Sequence, residues 1–154
     1  MTEAEFDRTV AVNLRGTWLV YKQAVPALVD GGGAVVNMAS IAGLVGFPLL
    51  GVYSATKGAV VRMTEVMALE LRDSGVRANA ICPGFVDTAM VERSAAGFTA
   101  ATGIPFEDMV GKGQGTLAKP GDVARLATFL ASDDASFING VAVPVDAGLN
   151  LQRA

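Results

Sequence analysis

Apolar residues recur every three or four positions along the first 28 residues, which is the spacing of one face of a helix. Those positions are Phe6, Val10, Leu14, Trp18, Tyr21, Val25 and Leu28. Thr2 and Glu5 have the spacing of a capping box at the start of such a helix. The pattern therefore predicts one long helix that begins near residue 3 and ends before the glycines at positions 31–33.

Three short apolar runs predict buried strands at residues 34–39, 76–82 and 141–145. Helical patterns separate them, one from about residue 52 to about residue 73 with Gly75 as its stop, and one that begins at Pro120. The order helix, strand, helix, strand, helix, strand predicts a single α/β domain over residues 1–154 with parallel strands and right-handed crossovers.

The long connection at residues 85–119 has no single period, and connections of this length are usually lids or binding loops. We predict a substrate lid there, with short helices around residues 90–96 and 106–110. Its apolar side chains suit an apolar pocket wall and equally a closely packed lid; they are Phe98, Ile104, Phe106, Met109 and Leu117.

The two ends of the predicted sheet differ in character. Pro144 cannot donate a ladder hydrogen bond, so the last strand is expected at an edge. The strand at 34–39 is apolar on both faces and should have a neighbour on each side. We expect either that an N-terminal half is missing from this sequence or that another chain covers that edge.

Composition excludes several classes of function. The net charge is −3, so no basic excess favours nucleic acid. The sequence has no histidine and one cysteine, Cys82, which excludes a Ser-His-Asp set, a His-ligated metal site and an internal disulfide. Residues 31–56 carry no charge, yet glycines and Pro48 interrupt them, so we predict no membrane span and a cytoplasmic protein.

Polar residues follow the first two predicted strands, at the edge where parallel sheets bind ligands. Ser40 closes the first strand, and Pro83 and Gly84 close the second. Tyr53 and Lys57 share one face at the start of the next helix. A nearby ammonium and a helix N-terminus would both lower the pKa of the phenol, which suits proton exchange with an alcohol or carbonyl oxygen. The alternative is an amphipathic helix start with a solvated lysine.

Five motifs in order carry a family resemblance. They are VNLRGT with Asn13, VVNMASIAG with Ser40, YSATKGAV with Tyr53 and Lys57, VRANAICPGFVDT ending at Thr88, and DVARLATFLASDDASFINGVAVPVDAG. Over essentially its whole length the sequence resembles the short-chain dehydrogenase/reductase family. The resemblance implies the C-terminal part of a Rossmann-like, doubly wound parallel sheet and hydride transfer between NAD or NADP and a secondary alcohol or ketone.

The resemblance also implies residue roles. Tyr53 would be the catalytic acid or base, Lys57 would bind the nicotinamide ribose and lower the tyrosine pKa, and Ser40 would orient the substrate oxygen. Asn13 would hold a water of the proton relay, or it marks a helix irregularity. The nicotinamide side would be lined by Pro83, Gly84, Val86 and Thr88. Thr88 is alternatively a helix N-cap. Self-association into dimers and tetramers is implied through the helices that carry Asn13 and Tyr53, where Trp18, Met63 and Met67 suggest an apolar surface.

Departures from the family pattern leave other functions open. No G-x-G-x-x-G loop for the adenosine side of the cofactor occurs, Ala39 replaces a frequent serine, and Asp146-Ala147-Gly148 replaces Asp-Gly-Gly. A truncated, non-catalytic remnant that only associates with other subunits is therefore an alternative. A Ser-Lys acyl hydrolase built on Ser54 and Lys57 is a further one, although its companion motifs are missing.

Overall fold

The computed structural model describes residues 1–151, which form a three-stranded parallel sheet with helices packed against it. The strands are β1 (Gly33–Met38), β2 (Val76–Pro83) and β3 (Ala142–Val145), in that spatial order. All three predicted strands are confirmed: β1 differs from its prediction by one residue at both ends, and β2 and β3 each differ by one residue at one end. Both strand pairs are parallel, with Gly33 opposite Val76 and Ala80 opposite Ala142.

Six α-helices connect or flank these strands in the part of the chain that the structure describes. They are α1 (Glu3–Val10), α2 (Gly16–Gly31), α3 (Gly51–Glu70), α4 (Ala89–Thr102), α5 (Phe106–Gly113) and α6 (Pro120–Ala131). Gly75 follows α3 and a short 3-10 turn in the left-handed conformation, as the sequence predicts for a helix stop. The two helices of the 85–119 connection are longer than their predicted cores.

The predicted first helix is interrupted by a turn of π-helix. The Thr2–Glu5 capping box opens α1 as expected. Residues Ala11–Arg15 then adopt π-helical hydrogen bonding before α2 begins. A π turn widens the helix by one residue and rotates the positions that follow, and such turns often occur at functional sites. The strict apolar repeat of the sequence therefore does not stay on one face, and Trp18 is 45% exposed.

The central strand β2 carries the core. Its buried side chains from Val76 to Cys82 pack against α3 on one face and α6 on the other. Met67 of α3 and Leu130 of α6 are each 1% exposed and mark the two layers. This helix–sheet–helix layering follows from a strand that is apolar on both faces.

The outer edge of β1 has no partner strand within residues 1–151. The sequence predicts a neighbouring strand on each side of β1, and the described chain supplies only β2. A groove of about 380 Å³ lies along this edge between β1, α2 and Lys57 of α3. At the other edge of the sheet, β3 carries Pro144, as its missing N–H requires. Among the same residues, no helix combines the length and the hydropathy needed to span a bilayer, and no acidic or cysteine cluster is arranged to hold a metal ion.

Candidate active site

Ser40 stands at the carboxyl end of β1 and is 8% exposed. Its hydroxyl oxygen accepts a hydrogen bond from the Ala42 N–H at 3.2 Å, which opens the 3-10 turn Ile41–Gly43. Gly43 presses this turn against α3, because a Cβ at Gly43 would lie 2.6 Å from the carbonyl carbon of Lys57. The close contact holds the Ser40 turn against the helix that carries Tyr53 and Lys57.

Tyr53 lies in the first turn of α3 and is half-buried. Burial raises the pKa of its phenol, and the interaction with the Ser40 side chain acts in the opposite direction. This net direction is opposite to the lowering that the sequence predicts from Lys57. The phenol is therefore protonated at neutral pH, which makes it a proton donor.

Lys57 is half-buried one turn further along α3. Its ammonium donates to the Met38 carbonyl oxygen at 2.8 Å and lies 5.8 Å from the centroid of the Tyr53 ring. Burial lowers the pKa of Lys57. The ammonium has three N–H donors, so two remain for a ligand in the groove that Lys57 lines.

Asn13 sits in the middle of the π turn and faces α3. Its Nδ2 donates to the Thr56 hydroxyl oxygen at 3.2 Å, and the Thr56 hydroxyl donates to the Tyr53 carbonyl oxygen at 2.8 Å. Thr56 is buried and was missed by sequence reasoning, although a threonine beside Lys57 on the inward side of an amphipathic helix was a usable signal. The structure thus connects Asn13 to the backbone of Tyr53.

For the residues after β2, the structure shows contacts with the neighbouring backbone. Pro83 ends the strand, and Val86 forms an isolated parallel bridge with Ala118. The Thr88 hydroxyl accepts a hydrogen bond from the Val91 N–H at 3.4 Å and donates to the Val86 carbonyl oxygen at 3.2 Å. It is the N-cap of α4, which is the alternative that the sequence left open for this threonine.

Two buried polar residues beside Gly84 were also missed. Gln114 follows α5, and its side-chain oxygen occupies the space that a Cβ at Gly84 would need. The Asp146 carboxylate accepts hydrogen bonds from the Gly148 and Asn150 N–H groups at 3.1 and 2.8 Å. Gln114 supports the turn after β2, and Asp146 supports the turn after β3. A polar residue between two glycines was the only sequence signal for Gln114.

The Ser54–Lys57 pair of the hydrolase alternative is not formed. Among the described residues the Ser54 hydroxyl is buried without a hydrogen-bond partner, and the Lys57 ammonium donates to Met38. A nucleophilic serine requires a base within hydrogen-bond reach. The geometry therefore favours Tyr53 over Ser54 as the reactive hydroxyl.

A nicotinamide cofactor fits one half of this site. Lys57 has spare donors toward the groove, and Asn13 and Met38 line the same space. The pyrophosphate normally binds to backbone N–H groups of a glycine-rich turn that follows a strand and opens a helix. No G-x-G-x-x-G motif occurs in this sequence, so its residues fit the nicotinamide side and not the pyrophosphate.

Comparison with known proteins decides the family. A family model described as enoyl-(acyl carrier protein) reductase matches residues 1–150. This chain belongs to the short-chain dehydrogenase/reductase family. A short-chain type dehydrogenase/reductase from Mycobacterium ulcerans superposes with a TM-score of 0.86 at 35% identity, over 99% of this chain and 55% of that one.

Two further members of the comparison are similar to this dehydrogenase/reductase chain over most of its length. The 2-(S)-hydroxypropyl-CoM dehydrogenase 3 of Xanthobacter autotrophicus is 37% identical over 147 residues, 95% of this chain and 58% of the relative. The structure of ElxO with NADP bound gives a TM-score of 0.85 at 31% identity, over 99% of this chain and 60% of ElxO. The chain thus spans less than two thirds of the length of these relatives.

Proposed function

We propose that this chain carries the catalytic centre of an NAD(P)-dependent oxidoreductase that transfers a hydride between the nicotinamide and the carbon of a secondary alcohol or ketone. The observation that carries the proposal is the packing of the Ser40 turn, through Gly43, against the helix α3 that carries Tyr53 and Lys57, at the carboxyl edge of the sheet. The hydroxyl groups of Ser40 and Tyr53 can both hydrogen-bond one substrate oxygen. The membership of the chain in a family of dehydrogenases and reductases supports it.

Tyr53 is the proton donor in this proposal, and Ser40 orients the substrate oxygen. A phenol whose pKa is raised by burial is protonated at working pH, so it suits the reduction of a ketone. The phenol proton moves to the carbonyl oxygen as that oxygen gains negative charge. Alcohol oxidation requires the phenolate, which the Lys57 ammonium would stabilise once it leaves the Met38 carbonyl oxygen.

The remaining site residues bind and orient. Lys57 donates to the nicotinamide ribose, and Asn13 holds a water of the proton relay. The nicotinamide side is lined by Pro83, Gly84, Val86 and Thr88. ElxO binds NADP, which supports a nicotinamide dinucleotide as the cofactor. Both NAD and NADP are compatible with these residues, because the groups that select between them bind the adenosine ribose.

The test is turnover by Tyr53→Phe, measured as NADH or NADPH consumption with a panel of ketones. Removal of a positioned general acid should lower kcat roughly 10²- to 10⁴-fold. Tyr21→Phe is the matched control, since Tyr21 is the only other tyrosine and its hydroxyl hydrogen-bonds Glu70 at 3.4 Å. Wild-type kcat in Tyr53→Phe would remove Tyr53 from the mechanism.

The second candidate function is a non-catalytic subunit that associates with other chains. The observation that favours it is the outer edge of β1, which has no partner strand within residues 1–151, together with the absence of a G-x-G-x-x-G turn from these residues. Isothermal titration with NAD(H) and NADP(H) separates the two functions. Because weak binding is expected, cofactor concentrations well above the micromolar range are used: heat of binding followed by turnover there supports the enzyme, and neither heat nor turnover there supports the subunit.

Self-association through the helices that carry Asn13 and Tyr53 belongs to the same proposal. Trp18 and Leu19 of α2 and Val66 and Leu69 of α3 are exposed apolar side chains on these helices. Met67, named from the sequence as part of this surface, is 1% exposed and packs into the core instead. Sedimentation at micromolar concentration should show dimers or tetramers.

A cytoplasmic location stays a prediction from the sequence.

A further inference from the structure

Four phenylalanines form a continuous row of edge-to-face contacts, here called the aromatic wall. Phe47 and Phe85 have ring centroids 6.3 Å apart at 85° between the ring planes. Phe85 and Phe106 are 5.3 Å apart at 89°, and Phe106 and Phe98 are 5.8 Å apart at 76°. This T-shaped geometry is the favoured arrangement of aromatic pairs.

The aromatic wall joins the two sides of the candidate site to the predicted lid. Phe47 lies on the loop between Ser40 and Tyr53, and Phe85 directly follows Gly84 at the end of β2. Phe98 belongs to α4 and Phe106 to α5. All four rings are half-buried, so each keeps surface for further contact.

Charged side chains near this wall are exposed, except for the buried Asp146 carboxylate, which already accepts hydrogen bonds from the Gly148 and Asn150 N–H groups. Residues 31–56, which include Phe47, contain no charged side chain. The charged side chains of α4 and α5 are all exposed; they are Glu92, Arg93, Glu107, Asp108 and Lys112. The ammonium of Lys57 donates to Met38 in the groove at the edge of β1. An ionised substrate group against these rings would lose its water without gaining a partner, which is strongly unfavourable.

We infer that the substrate is an uncharged ketone or secondary alcohol whose apolar alkyl or aryl group packs against the aromatic wall. This inference rests on the proposed function, because Tyr53 and Ser40 must hold the oxygen that places the apolar group there. The wall then determines which substrates bind, and the hydroxyl pair determines how they react.

A matched pair of probes tests the charge dependence on the unmodified chain. Ethyl acetoacetate and acetoacetate contain the same ketone and differ in whether the carboxyl group is an ester or an anion. Dissociation constants from ligand-observed NMR should favour the neutral ester by about tenfold or more, because the wall cannot solvate the anion. Equal binding, or tighter binding of acetoacetate, would overturn the inference.

A pair of variants tests the wall itself. Phe106→Ala should weaken binding of ethyl acetoacetate severalfold, since it removes the ring that contacts both Phe85 and Phe98. Phe137→Ala is the control, because Phe137 is fully exposed and lies outside the wall. Loss of binding in both variants, or in neither, would contradict the assignment.

The turnover assay keeps this inference separate from the proposed function. An ester that binds in a Phe106-dependent way and is never reduced, at NADH or NADPH concentrations that titration shows to saturate the chain, would refute the oxidoreductase and retain the ligand class. Reduction of acetoacetate in preference to its ester would refute the ligand class and retain the oxidoreductase.

Discussion

The side-chain amide of Gln114 hydrogen-bonds both backbone polar groups of Phe85. Its Oε1 accepts from the Phe85 N–H at 2.8 Å, and its Nε2 donates to the Phe85 carbonyl oxygen at 2.8 Å. Nε2 also donates to the Thr116 carbonyl oxygen at 2.9 Å. One buried amide thus acts as a strand partner for the residue after Gly84 and connects the end of α5 to the end of β2.

We expect Gln114→Leu to lower the free energy of unfolding by about 2–4 kcal/mol, because a buried polar group without its partner costs about 1–3 kcal/mol. Urea unfolding measures the loss, and hydrogen exchange should accelerate at the Phe85 amide. Gln23→Leu, at an exposed position of α2, is the control and should change stability little. Unchanged exchange at Phe85 would show that the amide does not hold this turn.

The contact of Gly43 with α3 predicts that alanine substitutions at Gly43 and Gly46 differ in their effect on stability. A Cβ at Gly43 would lie 2.6 Å from the Lys57 carbonyl carbon and 2.8 Å from the Gly58 nitrogen, and both are rigid backbone atoms. Gly43→Ala should therefore destabilise the fold by about 1–3 kcal/mol or more through overpacking. Gly46→Ala has nothing within 4 Å and should be neutral. Equal melting temperatures of the two variants would contradict the close packing.

Two substitutions at Thr56 test the contribution of its hydroxyl group. Thr56→Val keeps the shape and removes both the acceptor for Asn13 and the donor to the Tyr53 carbonyl oxygen. It should cost about 1–2 kcal/mol of stability, as buried hydrogen-bond losses do, and shift the Asn13 side-chain amide resonances. Thr56→Ser restores the hydroxyl and should restore those resonances. Asn13 resonances that do not respond to Thr56→Val would disprove the contact.

The pH dependence of stability should report Cys82, which is fully buried. Burial raises the pKa of its thiol from 9.0 to about 11. Between these values the unfolded chain releases this proton and the folded chain keeps it, so the folded state loses stability as pH rises from 9 to 11. The slope for one group is at most about 1.4 kcal/mol per pH unit. Cys82→Ala should flatten the wild-type curve in this window, and an identical curve would rule out the thiol.

Dinucleotide binding is expected to be weak. Lys57 and the turn after β2 can hold the nicotinamide side, yet the sequence has no G-x-G-x-x-G turn for the pyrophosphate. Fluorescence titration with NADH and NADPH should therefore give no micromolar affinity on protein shown to be folded by circular dichroism. A 1:1 complex at micromolar concentration would mean that a neighbouring subunit or an unrecognised segment completes the site.

Local features of the sequence determined the elements of this fold. The apolar runs predicted all three strands, because a strand buried on both faces needs a continuous apolar run. The Thr2 capping box and the left-handed Gly75 were predictable since each depends on only a few neighbouring residues. The positions of Ser40, Tyr53 and Lys57 at one edge also followed, since parallel strands place their carboxyl ends together.

The hydrogen bonds, side-chain burial and pKa shifts that depend on residues far apart in the sequence were decided only by the tertiary structure. Gln114 meets Phe85 across 29 positions and Asn13 meets Thr56 across 43, and neither pair has a local signature. Met67 turns into the core because β2 packs against that face of α3. The pKa of Tyr53 rises because burial exceeds the effect of the Ser40 side chain, while Lys57 donates to Met38. Sequence spacing sets which groups come near each other, whereas desolvation and hydrogen-bond partners depend on the packed surroundings.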